Sequence, residues 1–360
     1  MSAAPVIIAA GGTGGHVYPG LAVADALMAR DVPVLWVGTP YGMEAKVVPA
    51  AGIPFTSLQV RGLRGNGLVG WLLAPLRVTR AVFGAVMLLW RCQPRVVLGL
   101  GGYVAGPVGV AAWLLRRPLV IQEQNAKPGM TNRWLSRLAR RVLTGLNAPF
   151  PSAKAVVQTG NPVRQVLISI EPPAVRYANR AGERLRLLVL GGSLGARSLN
   201  QAVPAALSQW PVSKQPEIIH QAGQRTIETA RSAYAAAGLE ADVRLFIDDM
   251  ACVYGWCDLV VCRAGALTIS ELAAVGVPAL LVPFPYAVDD HQTANAQLLV
   301  SAGGAEILPD AALQTALFSE RLEQLLADRD HLRDMAQKAH ALAQPDAAQR
   351  VADHCLEVAA

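Results

Sequence analysis

Short apolar runs alternate with longer stretches of helical period along nearly the whole chain. Residues 6–10, 34–38, 96–100, 119–122 and 141–144 have the length and apolar content of buried strands. A second series follows at residues 185–190, 217–220, 243–247, 259–262 and 279–282. Strand–helix alternation implies parallel sheets with helices on both faces. Two such series predict an α/β protein with two doubly wound, Rossmann-like domains. The loop Gly160-Asn161-Pro162-Val163-Arg164 lies between the series, so we place a first domain at 1–163 and a second at 164–344. The last stretch, 345–360, is helical in pattern after a break at Pro345.

The segment 258–295 carries the densest signal. An apolar run, Leu259-Val260-Val261-Cys262, meets a tight Arg263-Ala264-Gly265-Ala266 turn. A helix is expected to start near Thr268, with Thr268-Ile269-Ser270-Glu271 as a capping box, and to end at Gly276. Strand, turn, helix and strand make one β-α-β unit. Its helix N-terminus faces the carboxyl edge of the sheet, where free N–H groups and the helix dipole favour a phosphate. Glu271, one turn inside, is placed to accept from a ribose diol. Arg263 flanks this site, and Asp289-Asp290-His291-Gln292 adds polar groups after the next strand.

Glycine-rich turns recur after strands: Gly11-Gly12-Thr13-Gly14-Gly15, Gly101-Gly102 and Gly191-Gly192-Ser193-Leu194-Gly195. Glycines there allow positive φ and close approach of backbone to a ligand. None has the GxxxxGK[ST] form of a P-loop. The strand at 34–38 ends in Thr39-Pro40 and offers no acid for an adenosine ribose, which argues against a dinucleotide dehydrogenase. There is no HExxH, and the five cysteines have no zinc spacing, so neither metal nor cofactor is expected.

Charge changes the picture. Residues 1–163 hold 16 Lys and Arg against 4 Asp and Glu, a net +12, and the remainder holds 16 against 22, a net −6. A basic first half suits an acidic partner. Residues 68–90 interleave Trp71, Leu72, Leu76, Phe83 and Trp90 with Arg77 and Arg80, preceded by Arg61 and Arg64. That pattern fits a helix lying in an anionic membrane interface, and Pro75 with the arginines breaks any span. No nucleic-acid module is evident, so no nucleic-acid partner is expected. No basic residue precedes the first apolar run, so no signal peptide is predicted.

His16 follows the first glycine loop at a helix start, where the dipole would keep it neutral and able to act as a base. Glu123 and Asn125, after the strand at 119–122, could bind sugar hydroxyls or orient a base. Arg164 is placed at the hinge, where it could meet a phosphate.

The motifs GGTGGHVYPGLAVA, VLGLGGYVAGP, QEQNAKPGMTN, TGNPVR, GGSLGARSLN, FIDDM and CRAGALTISELAAVGVPALLVPFP, in this order, resemble the MurG family. These are bacterial transferases that move N-acetylglucosamine from its UDP donor to lipid I, giving lipid II for peptidoglycan. The resemblance implies a GT-B fold, two Rossmann-like domains facing a cleft. The first domain would take the lipid acceptor at the inner face of the inner membrane, the second the donor, and the last helix would return to the first. It implies donor contacts from Thr13, Gly14, Gly15, Asn125, Arg164 and Ser193. Ile247 would meet uracil through its backbone. Ala266, Leu267, Thr268, Ile269, Ser270 and Glu271 would line the diphosphate and ribose, with Gln292 near the sugar. His16 is the candidate base and Glu123 the runner-up. Family members often carry His where Gln122 stands, and many carry Gln at the place of Leu194.

Overall fold

The computed structural model describes residues 4–60 and 74–359. The chain divides into two compact units, Met1–Arg164 with Gln344–Ala360, and Gln165–Ala343.

The first unit is built on a seven-stranded parallel sheet in the order β3-β2-β1-β4-β5-β6-β7. Its strands are β1 (Val6–Ala10), β2 (Val34–Gly38), β3 (Phe55–Ser57), β4 (Val96–Gly101), β5 (Leu119–Glu123), β6 (Arg141–Thr144) and β7 (Val156–Gln158). In β1, β4 and β5 every residue is buried. Helices cover both faces of the sheet, so these strands read as continuous apolar runs rather than alternating ones. Two separate core clusters record this: Val6, Ile8, Leu98 and Val120 pack on one face, and Ile7, Ala9, Val97 and Ile121 on the other.

The second unit repeats the plan with six parallel strands in the order β10-β9-β8-β11-β12-β13. They are β8 (Arg186–Leu190), β9 (Glu217–Gln221), β10 (Asp242–Arg244), β11 (Leu259–Cys262), β12 (Ala279–Leu281) and β13 (Ala305–Ile307). In each sheet the strand order reverses beside the first strand, between β1 and β4 and between β8 and β11. The carboxyl ends at such a switch point diverge and leave room for a ligand.

Three strands escaped the sequence reading: β3, β7 and β13, each three residues long and at or near a sheet edge. The run expected at 243–247 is strand only over Asp242–Arg244; Leu245 and Phe246 are exposed and Ile247 turns away to bond Gln221.

The Ala347–Ala359 helix packs against the Gly14–Met28 helix of the first unit. Val351, Ala352 and Cys355 are fully buried there. Arg141 bonds both His354 and Glu357, and Arg30 pairs with Asp353. These contacts are largely exposed and screened by solvent, so the apolar face holds the helix.

Candidate functional site

In the first unit the Gly14–Met28 helix starts from Thr13, whose carbonyl accepts from His16 N at 3.0 Å and Val17 N at 3.2 Å. Gly14 and Gly15 form the first turn, where backbone N–H groups have no partner within the helix. The first and second glycine loops lie backbone to backbone. Gly102 has φ +75°, and a Cβ there would collide with the Gly11 carbonyl oxygen. Glycine is therefore required for the loops to close on each other.

A buried carboxylate fixes the first loop. Glu44 has no exposed surface; its Oε2 accepts from Gly12 N at 3.2 Å, and its Oε1 from Thr39 N at 3.0 Å and Thr39 Oγ1 at 2.6 Å. Glu123 does the same for the loop after β5. Its Oε1 accepts from the backbone N and Nδ2 of Asn125, both at 3.0 Å, and its Oε2 from Gly129 N at 3.0 Å and Asn132 Nδ2 at 2.9 Å. With four donors on a 1% exposed side chain, Glu123 is arranged as an anchor rather than a base. Asn125 is thereby pinned to it.

His16 lies on Gln124, with Nδ1 and Gln124 Oε1 3.2 Å apart. Its pKa is lowered, and the main cause is burial rather than the dipole expected from the sequence. The Glu123 carboxylate, the Gln124 side chain and the Leu100 carbonyl oppose that shift. Arg164 places its guanidinium 4.5 Å from the centre of the Tyr18 ring, two residues along the helix from His16. The structure thus gathers Thr13, Gly14, Gly15, His16, Glu123, Asn125 and Arg164 in loops and helix starts of one unit.

In the second unit the helix after β11 runs Ala266–Val275, starting two residues before the expected Thr268. Its N-cap is Gly265, which has no side chain to offer, so Thr268 and Glu271 form no capping box. The expected C-terminus holds: Gly276 adopts φ +67°, and the buried Arg176 donates to the carbonyls of Val275 and Gly276 at 2.8 and 2.6 Å. Ala266, Leu267 and Ile269 are buried in the helix's inner face. Thr268 and Ser270 are half-buried, and Ser270 Oγ bonds back to Ala266 O at 3.0 Å. Glu271 is 7% exposed, and its Oε2 accepts from Tyr254 Oη at 3.2 Å.

Gln292 Oε1 accepts from Ala264 N at 3.2 Å and Phe284 N at 2.9 Å, so it joins the loops after β11 and β12. Its Nε2 is thereby the end turned to donate elsewhere. Arg263 binds the carbonyls of Val282 and Pro283, Asp310 Oδ1 and Ser198 Oγ. It ties the turn after β11 to the loop after β12, to Asp310 and to Ser198 of the Arg197–Leu207 helix. Ser193 sits exposed after β8, with its carbonyl taken by Gln224 N at 3.2 Å. The Ile247 N–H is committed to Gln221 Oε1 at 3.1 Å, so a backbone contact to a base would fall to its carbonyl.

The sequence reading missed Glu44 and Tyr254. A signal for Glu44 existed: the first 163 residues contain only 4 acids, and an acid kept inside an otherwise basic, apolar half has a structural partner. Tyr254 gave none, since its bond to Glu271 depends on how the Met250–Trp256 helix lies against the 266–275 helix.

Comparison with known proteins gives the family. The glycosyltransferase family 28 N-terminal domain matches residues 6–144 and the family's C-terminal domain residues 186–351. A protein of Alkalilimnicola ehrlichii named UDP-N-acetylglucosamine–N-acetylmuramyl-(pentapeptide) pyrophosphoryl-undecaprenol N-acetylglucosamine transferase is 57% identical over 99% of both chains. One of the same name from Halorhodospira halophila is 55% identical, covering 100% of this chain and 99% of that one. The crystal structure of Acinetobacter baumannii MurG superposes with a TM-score of 0.81 at 41% identity, over 99% of this chain and 100% of that one. A UDP-GlcNAc 2-epimerase from Neisseria meningitidis shares the fold, with a TM-score of 0.66 at 14% identity over 98% of this chain and 100% of that one. With both family domains in order along one chain of GT-B architecture, this protein belongs to glycosyltransferase family 28.

Proposed function

We infer that this chain transfers N-acetylglucosamine from UDP-N-acetylglucosamine to lipid I, the undecaprenyl-pyrophosphoryl N-acetylmuramoyl pentapeptide, giving lipid II. The observation that carries the reading is the 57% identity, end to end, with a protein that bears that activity as its name.

In the proposed reaction the 4-hydroxyl of the N-acetylmuramoyl group attacks the anomeric carbon of the donor from the face opposite UDP, with inversion. His16 takes the hydroxyl proton; a base held neutral by its surroundings is ready to accept it. Glu123 serves by anchoring the loop that carries Asn125, and its charge stabilises the imidazolium once His16 is protonated. The UDP diphosphate leaves against the N–H groups opening the Ala266–Val275 helix and against Arg164. Glu271 takes the ribose diol, Gln292 donates from Nε2 to the sugar, and Thr13, Gly14, Gly15, Asn125 and Ser193 complete the donor contacts. The scheme uses no cofactor and no bound metal.

We place the protein on the inner, cytoplasmic face of the inner membrane. The Ala74–Cys92 helix buries Ala81, Ala85 and Leu89 and exposes Leu76, Phe83 and Trp90, seven residues apart and so on one stripe. Arg77, Arg80 and Arg91 are exposed beside them. Apolar side chains flanked by arginine suit an anionic bilayer surface. The rest of that expectation, residues 61–73, lies outside the described residues. Among the described residues no helix is long and apolar enough to cross a membrane.

The test is transfer of labelled N-acetylglucosamine from its UDP donor to a short-chain lipid I analogue in the presence of EDTA. A β-linked product is expected. Formation of a 2-epimer without acceptor would replace this reading with an epimerase, and UDP binding without either product would replace it with a sensor.

A further inference from the structure

We propose that Gln124 is a positioning residue that fixes the tautomer of His16, standing at the end of a relay of buried side-chain amides that begins at Asn161.

Each amide in the relay is oriented by the one before it. Asn161 Nδ2 donates to the Gln124 backbone carbonyl at 3.0 Å, which turns its Oδ1 toward Gln122. Gln122 Nε2 donates to that Oδ1 at 3.0 Å, which turns Gln122 Oε1 toward Gln124. Gln124 Nε2 then meets only acceptors: Gln122 Oε1 at 2.5 Å, Leu100 O at 3.1 Å and Gln122 O at 3.5 Å. Its Oε1 is therefore the atom facing His16 Nδ1 at 3.2 Å. Flipping Gln124 would set its carbonyl oxygen against three other oxygens. In a site where Gln122, Gln124 and Asn161 are 0%, 2% and 3% exposed, no water would relieve that repulsion.

An amide oxygen only accepts, so the bond from Gln124 favours the neutral imidazole with the proton on Nδ1 and the lone pair on Nε2; the Leu100 carbonyl is a second acceptor beside the ring. The ring also stands close against Gly101, where a side chain would crowd it. A Cβ built on Gly101 would stand 3.1 Å from His16 Cε1 and 3.3 Å from Nδ1. The partner of one ring nitrogen decides what the other can do. The relay thus presents Nε2 as a proton acceptor while adding no charge to the imidazole. An amide in this place, unlike a carboxylate, sets the tautomer without strongly raising the basicity.

The test reads the tautomer directly and then its consequence. Nitrogen-15 spectra of full-length protein labelled at histidine give separate shifts for protonated and unprotonated ring nitrogens. The His16 pair is assigned by its absence in His16→Gln. The wild type is expected to show Nδ1 protonated and Nε2 unprotonated. In Gln124→Leu the pair should move toward the opposite tautomer or a mixture. Gln122→His, whose neutral ring offers one donor and one acceptor, should keep the wild-type pattern. Wild-type Nε2 found protonated, or a His16 pattern unchanged in Gln124→Leu, would overturn the proposal, and the wild-type spectrum decides it even if that variant fails to fold. The kinetic consequence rests on the reading of His16 as base. Turnover of Gln124→Leu should then fall by up to about 10²-fold, the low end of what a positioned general base contributes, with donor KM little changed. A shifted tautomer with unchanged turnover would leave the positioning intact and remove His16 from the role of base.

Discussion

Replacing Glu44 by glutamine tests whether a buried carboxylate holds the first glycine loop in shape. The side chain keeps its volume, so no cavity opens. One oxygen can still take the Thr39 N–H and hydroxyl, now at 3.0 and 2.6 Å. The other position becomes an NH2 group facing the Gly12 N–H that Oε2 accepts at 3.2 Å. One donor is lost to its acceptor, two donors are opposed, and the remaining bonds lose their charge assistance. Leaving one such group unsatisfied costs about 1–3 kcal/mol, and we take about 2 kcal/mol as the expected loss. For a unit of this size about 2 kcal/mol lowers the midpoint of thermal unfolding by about 4–8 °C. The assay is differential scanning calorimetry without ligand, following the transition of the first unit, with turnover measured below that transition. Turnover should fall because Thr13–Gly15 are carried by the loop that Glu44 anchors. Donor KM should rise as turnover falls, since Thr13, Gly14 and Gly15 are proposed donor contacts. A Glu44→Gln protein that melts with the wild type and turns over normally would refute the reasoning, since it would mean the loop is held by its own glycine geometry.

His16→Ala should lower turnover by about 10²-fold or more with little effect on donor affinity, measured by steady-state transfer. Because burial lowers the His16 pKa, the acid limb of kcat/KM should lie below pH 6.5, the ordinary imidazole value, and a limb at or above that value would contradict the assignment. Glu271→Ala should weaken UDP binding measured calorimetrically, whereas Tyr254→Phe, which removes only the 3.2 Å bond to Glu271 Oε2, should weaken it less; equal loss in both would make Glu271 a packing residue. His220 is buried between Tyr234 Oη and Asn200 Oδ1, each at 3.0 Å, and burial lowers its pKa to about 3. Its folded pKa lies below its unfolded value, so the unfolded chain binds the extra proton. Stability of the second unit should fall as pH drops from about 6.5 toward about 3, and His220→Gln should flatten that slope in urea titrations.

The alternation of apolar runs and helical stretches was enough to place the central strands of both sheets, because a strand buried on both faces must be apolar throughout. It was not enough for β3, β7 and β13, whose three residues at or near a sheet edge bury too little to leave a pattern. The glycine loops were legible as turns that need close backbone approach, and the structure shows that approach between the loops themselves, with Gly102 at φ +75° against the Gly11 carbonyl oxygen. His16, Glu123, Asn125 and Arg164 were legible as chemistry set beside those loops.

What each group does there was decided by tertiary contact. The pattern at 268–271 spells a capping box, yet packing starts the helix at Ala266, and Glu271 turns inward to Tyr254. Arg263 reads in sequence only as a charge flanking the turn after β11; the fold makes it a strut, because β8, β11 and β12 bring Ser198, Val282 and Pro283 to it, with Asp310 alongside. Glu123 reads as a base and becomes an anchor once four donors fold around it. Local sequence determines which backbone conformations and which chemical groups are present at a strand end. Which oxygen meets which proton depends on residues such as Asn161 and Gln122, distant from His16 in the chain, and only the packed sheet brings them into line.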